Sequence, residues 1–149
     1  MTLDPTKRIN YRISVTHYLA GPFASHVQRP RISKHGHNFF KKWAHLPCDY
    51  VIVATTKQRV IGFFRFNVFE YPTKDNHPVP ELHAAGTWVE AAYRRRGVAF
   101  KMWERAFDFT RPKFINVSTA SKHGRKFVRT LRRRWSERQL EWYVEDLKD

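Results

Sequence analysis

Arg94, Arg95 and Arg96 run directly into Gly97, and the small residue Ala99 follows two positions later. The stretch from Val89 to Ala99 reads as the end of a strand, a tight basic turn and the first residues of a helix. Backbone N–H groups at a helix start have no intrahelical acceptor and lie at the positive end of the helix dipole. A glycine there lets an anion approach the backbone closely, so the turn suits a phosphate or pyrophosphate. The same residues would equally form a solvated basic turn or touch nucleic-acid phosphates. A second group of candidates lies on the preceding strand. Strict alternation puts His83, Ala85, Thr87 and Val89 on one face, with Glu81 just outside that set. Histidine is a competent base for an ammonium group, directly or through water. The bland alternative for His83 is a hydrogen-bonded strand residue. Glu81 and Glu90 are the reserve bases.

The elements that must position these residues follow from periodicity and breakers. Ile9 to Tyr18 alternates and reads as a first strand. Phe23 to Leu46 reads as one or two helices, interrupted near Arg29-Pro30 and His35-Gly36. It holds His26, His35, His37 and His45 without the paired spacing of a zinc motif. Tyr50–Thr56 and Val60–Tyr71 form a hairpin of buried type around Lys57-Gln58-Arg59. A loop from Pro72 to Pro80 leads to a strand at Leu82–Val89, and then the basic turn. Gly97 to Thr110 is a helix whose apolar face carries Ala99, Met102, Trp103, Ala106 and Phe109 or Thr110, ended by Arg111-Pro112. Phe114–Ala120 is a fifth strand. A helix capped by Ser121 follows, with Gly124, Phe127, Val128, Leu131 and Trp135 inward. Its outward face is Lys122, Arg125, Lys126, Arg129, Arg132 and Arg133, with no acid among them. Arg138 to Val144 closes the chain's run of strands. This is one α/β domain over residues 1–149, with no repeat or linker.

The segment Arg94-x-x-Gly97-x-Ala99 resembles the acyl-CoA signature of the GNAT superfamily of N-acetyltransferases, Arg/Gln-x-x-Gly-x-Gly/Ala. The order of elements is similar to that fold nearly from end to end. The resemblance implies a mixed, mostly antiparallel sheet with flanking helices. Its two central parallel strands, ending at Val89 and beginning at Phe114, would splay to admit a pantetheine arm. It also implies backbone contacts to that arm at Trp88 and Val89. The pyrophosphate would lie on the N–H groups of Arg94, Arg95, Arg96, Gly97, Val98 and Ala99, and the side chains of Arg94, Arg95, Arg96 and Lys101 would add charge or reach the nucleotide phosphates. Ser121 occupies the family's common asparagine position. His83 falls where the histone-acetylating branch carries its catalytic glutamate. The family's usual acid, a tyrosine, would stand at Val128, and no tyrosine lies between Tyr93 and Tyr143. Ser118, Thr119, Ser121 and Tyr143 are the available substitutes. No metal is implied.

Charge narrows the partner classes. The chain carries a formal net charge of +15, from 28 Lys and Arg against 13 Asp and Glu. So basic a chain attracts RNA, DNA or acidic protein surfaces. Between Ala91 and Arg134 the only acids are Glu104 and Asp108. A one-sign helix stripe repels itself unless an anion visits it. Trp135 and Trp142 sit on apolar faces and read as core in preference to base-stacking residues. The single cysteine, Cys48, makes no internal disulfide, no apolar run spans a membrane, and the first residues lack a secretory layout. The default is therefore a cytoplasmic protein with no membrane partner, and a homodimer is compatible with the resemblance. The expected function is an acetyl-CoA-dependent N-acetyltransferase. Its acceptor would be an amine of an anionic or nucleic-acid-associated molecule, an aminoacyl-tRNA or a protein lysine or N-terminus. The alternative is a catalytically weak module of the same fold that binds nucleic acid or an acidic protein partner.

Overall fold

Apolar runs such as Val51-Ile52-Val53-Ala54 imply strands covered on both faces, and the sheet is built that way. The computed structural model describes residues 10–17, 32–43, 50–57, 59–72, 74–75, 77–118 and 122–145. Six strands lie side by side in chain order. They are β1 (Arg12–His17), β2 (Tyr50–Thr56), β3 (Arg59–Tyr71), β4 (Val79–Val89), β5 (Phe114–Ser118) and β6 (Glu141–Glu145). The first four pair antiparallel, and β4–β5 and β5–β6 pair parallel. The two parallel crossovers are made by α2 (Val98–Thr110) and α3 (Lys122–Arg134), as parallel strands require. A further helix, α1 (Lys34–Trp43), precedes β2.

The two faces carry separate cores. On one, Ile52, Ala54, Ile61, Phe64, Phe66, Leu82 and Ala84 meet Met102, Trp103 and Ala106 of α2 and Val128, Leu131 and Trp135 nearby. Phe64 stacks on Trp103 with ring centroids 4.5 Å apart. On the other, Val51, Val53, Val60, Phe63 and Trp88 pack with Ile32. Trp135 is fully buried and Trp142 half-buried, which places both in the packing as expected.

Several sequence expectations shift. The first strand begins at Arg12 within the described residues, β4 starts earlier, at Val79, and Arg138 lies in a short 3₁₀ turn before β6. Gly36 does not interrupt a helix. It lies inside α1, where an added Cβ would come within 2.5 Å of Trp88 Cη2. That glycine lets the helix backbone approach the sheet, a requirement invisible to local breaker rules. Ser121 and Thr119, His26, His45 and Cys48 lie outside the described residues.

Candidate active site

Two irregularities in β4 create the site. The first is a bulge. Arg65 pairs with Gly86 and Phe66 with Ala84, which leaves Ala85 as an extra residue. A bulge shifts side-chain parity by one. Leu82 and Ala84 face α2, and beyond the bulge Thr87 does too, its Oγ1 accepting a 3.0 Å hydrogen bond from Trp103 Nε1. The expected common face for His83, Ala85, Thr87 and Val89 therefore does not exist. His83 shares the opposite face with Glu81, Gly86 and Trp88, and Glu81 is inside its set.

The second irregularity is the splay. β4 and β5 pair only from Glu81↔Phe114 to Ala84↔Val117. β4 continues to Val89 without a β5 partner. Its far edge stays bonded to β3, through Gly62↔Val89 and Phe63↔Trp88. The side chain of Trp88 is buried in the core, so only its backbone faces the opening.

The opened edge leads into the basic turn. Ala91–Tyr93 form a 3₁₀ turn, and Gly97 caps α2 with φ 81°, without a side-chain cap hydrogen bond. Arg95 is also left-handed, at φ 62°. Nothing lies within 4 Å of a Cβ built at Gly97, so the helix start is open on that side. The N–H groups of Val98, Ala99 and Phe100 belong to the first helical turn and have no intrahelical acceptor. Arg94 is committed differently from expectation: its Nε donates to the carbonyl of Val89 at 2.9 Å. Its side chain thereby ties the turn to the end of β4. Arg95 is exposed, and Lys101 is exposed with Nζ 5.4 Å from the Tyr11 ring centre.

The candidate bases separate clearly. Glu90 caps the 3₁₀ turn, and its N–H is held by the carbonyl of Ile61 at 2.7 Å. It stands seven residues from His83, roughly 20 Å along an extended strand, so the two do not converge. His83 is half-buried, and among the described residues no hydrogen bond reaches its buried Nδ1. Sequence reading missed the row His83 belongs to. Asn67, His83, Asn116 and Tyr143 are successive register partners across β3, β4, β5 and β6. Only non-local register assembles them. Glu81 is 3% exposed and its Oε2 accepts from the Tyr71 hydroxyl at 3.2 Å. The carboxylate holds the Tyr71 hydroxyl proton in place, raising the Tyr71 pKa above its ordinary value of 10.0, first through that hydrogen bond and then through its charge.

Val128, at the family's tyrosine position, is buried in the core. On α3, Lys126, Arg129, Arg132 and Arg133 are exposed and Arg125 is half-buried. Arg132 lies over Trp142 at 5.7 Å. Lys122 opens the helix.

Residues 15–131 match the acetyltransferase (GNAT) family. A search of curated proteins finds none that matches. Solved structures share the fold. An aminoglycoside acetyltransferase from an uncultured soil metagenomic sample, in complex with trehalose, is 15% identical, with a TM-score of 0.57, covering 93% of this chain and 95% of that one. An aminoglycoside N-acetyltransferase in complex with CoA is 11% identical, with a TM-score of 0.54 over 93% and 97% of the two chains. A ribosomal-protein-alanine N-acetyltransferase from Brucella melitensis biovar Abortus 2308 is 14% identical, with a TM-score of 0.50 over 82% and 90%. With the family matched over most of its length and the splayed strands meeting a glycine-capped helix start, the chain belongs to the acetyltransferase (GNAT) family of acetyl-CoA-dependent enzymes.

Proposed function

We propose that this protein transfers an acetyl group from acetyl-CoA to an amine of an anionic or nucleic-acid-associated acceptor, an aminoacyl-tRNA or a protein lysine or N-terminus. The observation that carries the donor half is the splay. Pairing stops at Ala84↔Val117 while β4 runs on to Val89, toward the uncapped helix start at Gly97. The residues fit the donor. The N–H groups of Val98, Ala99 and Phe100, with exposed Arg95, would hold a pyrophosphate. The edge of β4 at Trp88 and Val89, which has no β5 partner, would bind a pantetheine arm as a strand would, Arg94 Nε already holding the Val89 carbonyl. Acetyl-CoA supplies the activated thioester.

This chain's own work is on the acceptor. A reacting amine must be neutral, and His83 lies on the face opposite α2, with no hydrogen bond to its buried Nδ1 among the described residues. It removes the ammonium proton, directly or through one water. Glu81 is two register rows along the strand, on the same face. The leaving thiolate is stable without a strong acid, and Tyr143 is the hydroxyl that shares the row of His83.

The acceptor half rests on charge. The exposed cations of α3 sit on the helix layer, away from the face of His83, and would hold phosphates while the amine reaches the other side. An alternative, a binding module with little catalysis, is favoured by the missing tyrosine, with Val128 buried at its position, and by the net charge of +15. Calorimetric titration with acetyl-CoA and desulfo-CoA, after removal of carried-over nucleic acid, separates the two. Saturable micromolar binding, lost in Gly97→Glu, supports the enzyme. No binding near millimolar ligand defeats it. Arg129→Glu with Arg133→Glu should weaken tRNA binding and flatten its salt dependence, and unchanged affinity would remove the basic helix as the contact.

A further inference from the structure

Beside the row of His83, on the same sheet face, lies a pocket of about 480 Å³ that shares Asn116 and Tyr143 with that row. Its lining includes Tyr71, Glu81, Phe114, Asn116 and Tyr143 and, among the described residues, no lysine, arginine or histidine. That composition is unexpected in a chain of net charge +15. Three rings wall it. Tyr71 and Phe114 have centroids 5.9 Å apart at 73°, and Phe114 and Tyr143 lie 6.5 Å apart at 32°. Tyr71 is 48% and Tyr143 56% exposed, so the aromatic walls open to solvent. Glu81 is buried among them, and the Tyr71 hydroxyl is its one hydrogen-bond donor among the described residues.

A buried carboxylate is costly unless a cation or several donors meet it. Here one neutral hydroxyl does, and the rest of the wall is largely aromatic; an aromatic face attracts cations and repels anions. Phosphate, carboxylate and nucleobase-linked phosphate groups are disfavoured on both counts. A compact cation with apolar substituents satisfies both the carboxylate and the rings. The pocket is continuous with the reaction row through Asn116, the register partner of His83. Glu81 is two residues from His83 on the same face, about 7 Å along the strand. We infer that this pocket is an alkylammonium subsite, which holds a second amino group of the acceptor beside the one that is acetylated.

The word acceptor rests on the acetyltransferase reading, whereas the cation-binding chemistry of the pocket does not. A lysine side chain and a free alkyl diamine present the same group, and the test separates them.

Choline cannot be N-acetylated, so it probes the pocket without turnover. Choline and its uncharged carbon isostere, dimethylbutanol, would be titrated into the full chain while ring signals of Tyr71, Phe114 and Tyr143 are followed by NMR. The expected result is saturation by choline at least about 10-fold tighter than by dimethylbutanol, with a loss of about 10-fold in Glu81→Gln. Tyr143→Ala, at an exposed position, should weaken choline binding as well. Equal binding of the two probes, or unchanged choline binding in a folded Glu81→Gln protein, overturns the subsite. Displacement of choline by diaminopentane alone assigns a free diamine, and tighter displacement by a dilysine peptide assigns a lysine-rich protein segment. Displacement by neither overturns the acceptor role. Acetyl-CoA titrated into the same wild-type sample reads the donor site independently: its failure removes the acetyltransferase reading and leaves the choline result intact.

Discussion

Trp103 Nε1 donates to Thr87 Oγ1 at 3.0 Å, across the interface between α2 and β4. Thr87 reaches that helix only because the extra residue Ala85 reverses the side-chain parity of β4. The same reversal turns His83 and Glu81 to the opposite face. One hydrogen bond therefore pins the element that separates donor-side packing from acceptor-side chemistry. Thr87→Val should remove the acceptor, leave the Trp103 N–H unsatisfied, and lower unfolding free energy by about 1–2 kcal/mol. Thr87→Ser should retain most of it. Urea denaturation of both variants checks the difference.

Gly97 tests the donor site in a graded way. Its φ of 81° is strained for any side chain, although space is open around it. Gly97→Ala should cost about 1 kcal/mol of stability and weaken acetyl-CoA binding only modestly. Gly97→Glu adds a carboxylate at the anion site and should abolish calorimetric binding, with a melting temperature close to that of the alanine variant.

His83 carries the proton-transfer expectation. His83→Ala should lower kcat by about 100-fold or more with acetyl-CoA affinity unchanged, because the side chain lies on the face away from the helix start. Steady-state kinetics beside calorimetry distinguish this from a folding defect, which would lower both.

Tyr71 links pH to the state of Glu81. Its folded pKa is raised by the hydrogen bond to Glu81 and then by the carboxylate charge, whereas the unfolded chain titrates near 10.0. A raised folded pKa means the native state holds the proton longer. The associated stability is present below pH 10.0 and is lost as pH rises through the folded value. Glu81→Gln should return Tyr71 toward the ordinary tyrosine range in an ultraviolet titration.

Glu104 joins α2 to the 3₁₀ turn that follows α3. Its Oε1 accepts from Trp135 Nε1 at 2.7 Å, and both oxygens meet Arg138 Nη2, at 3.0 and 2.9 Å. The ion pair is about one-third exposed and contributes little by itself. The indole N–H of buried Trp135 matters more. Glu104→Gln should preserve that acceptor and cost less than about 1 kcal/mol, whereas Glu104→Leu should cost about 1–3 kcal/mol, read from chemical denaturation midpoints.

Much of this molecule is local and was therefore open to sequence reasoning. The strand-turn-helix at Val89–Ala99, the breaker Arg111-Pro112, and the inward faces of α2 and α3 follow from backbone preference and 3.6-residue periodicity. Those properties belong to short segments and need no distant partner. The tertiary structure alone decided three things. The residue that bulges on β4 is fixed by pairing with β3, so alternation placed His83 and Thr87 together when they point apart. The row from Asn67 to Tyr143 exists only once four strands settle into register. Gly36 fits inside a helix because Trp88, distant in sequence, occupies the space a side chain would need. Each depends on contacts between segments far apart in the chain, where geometry is set by packing and not by the residues' own conformational preferences.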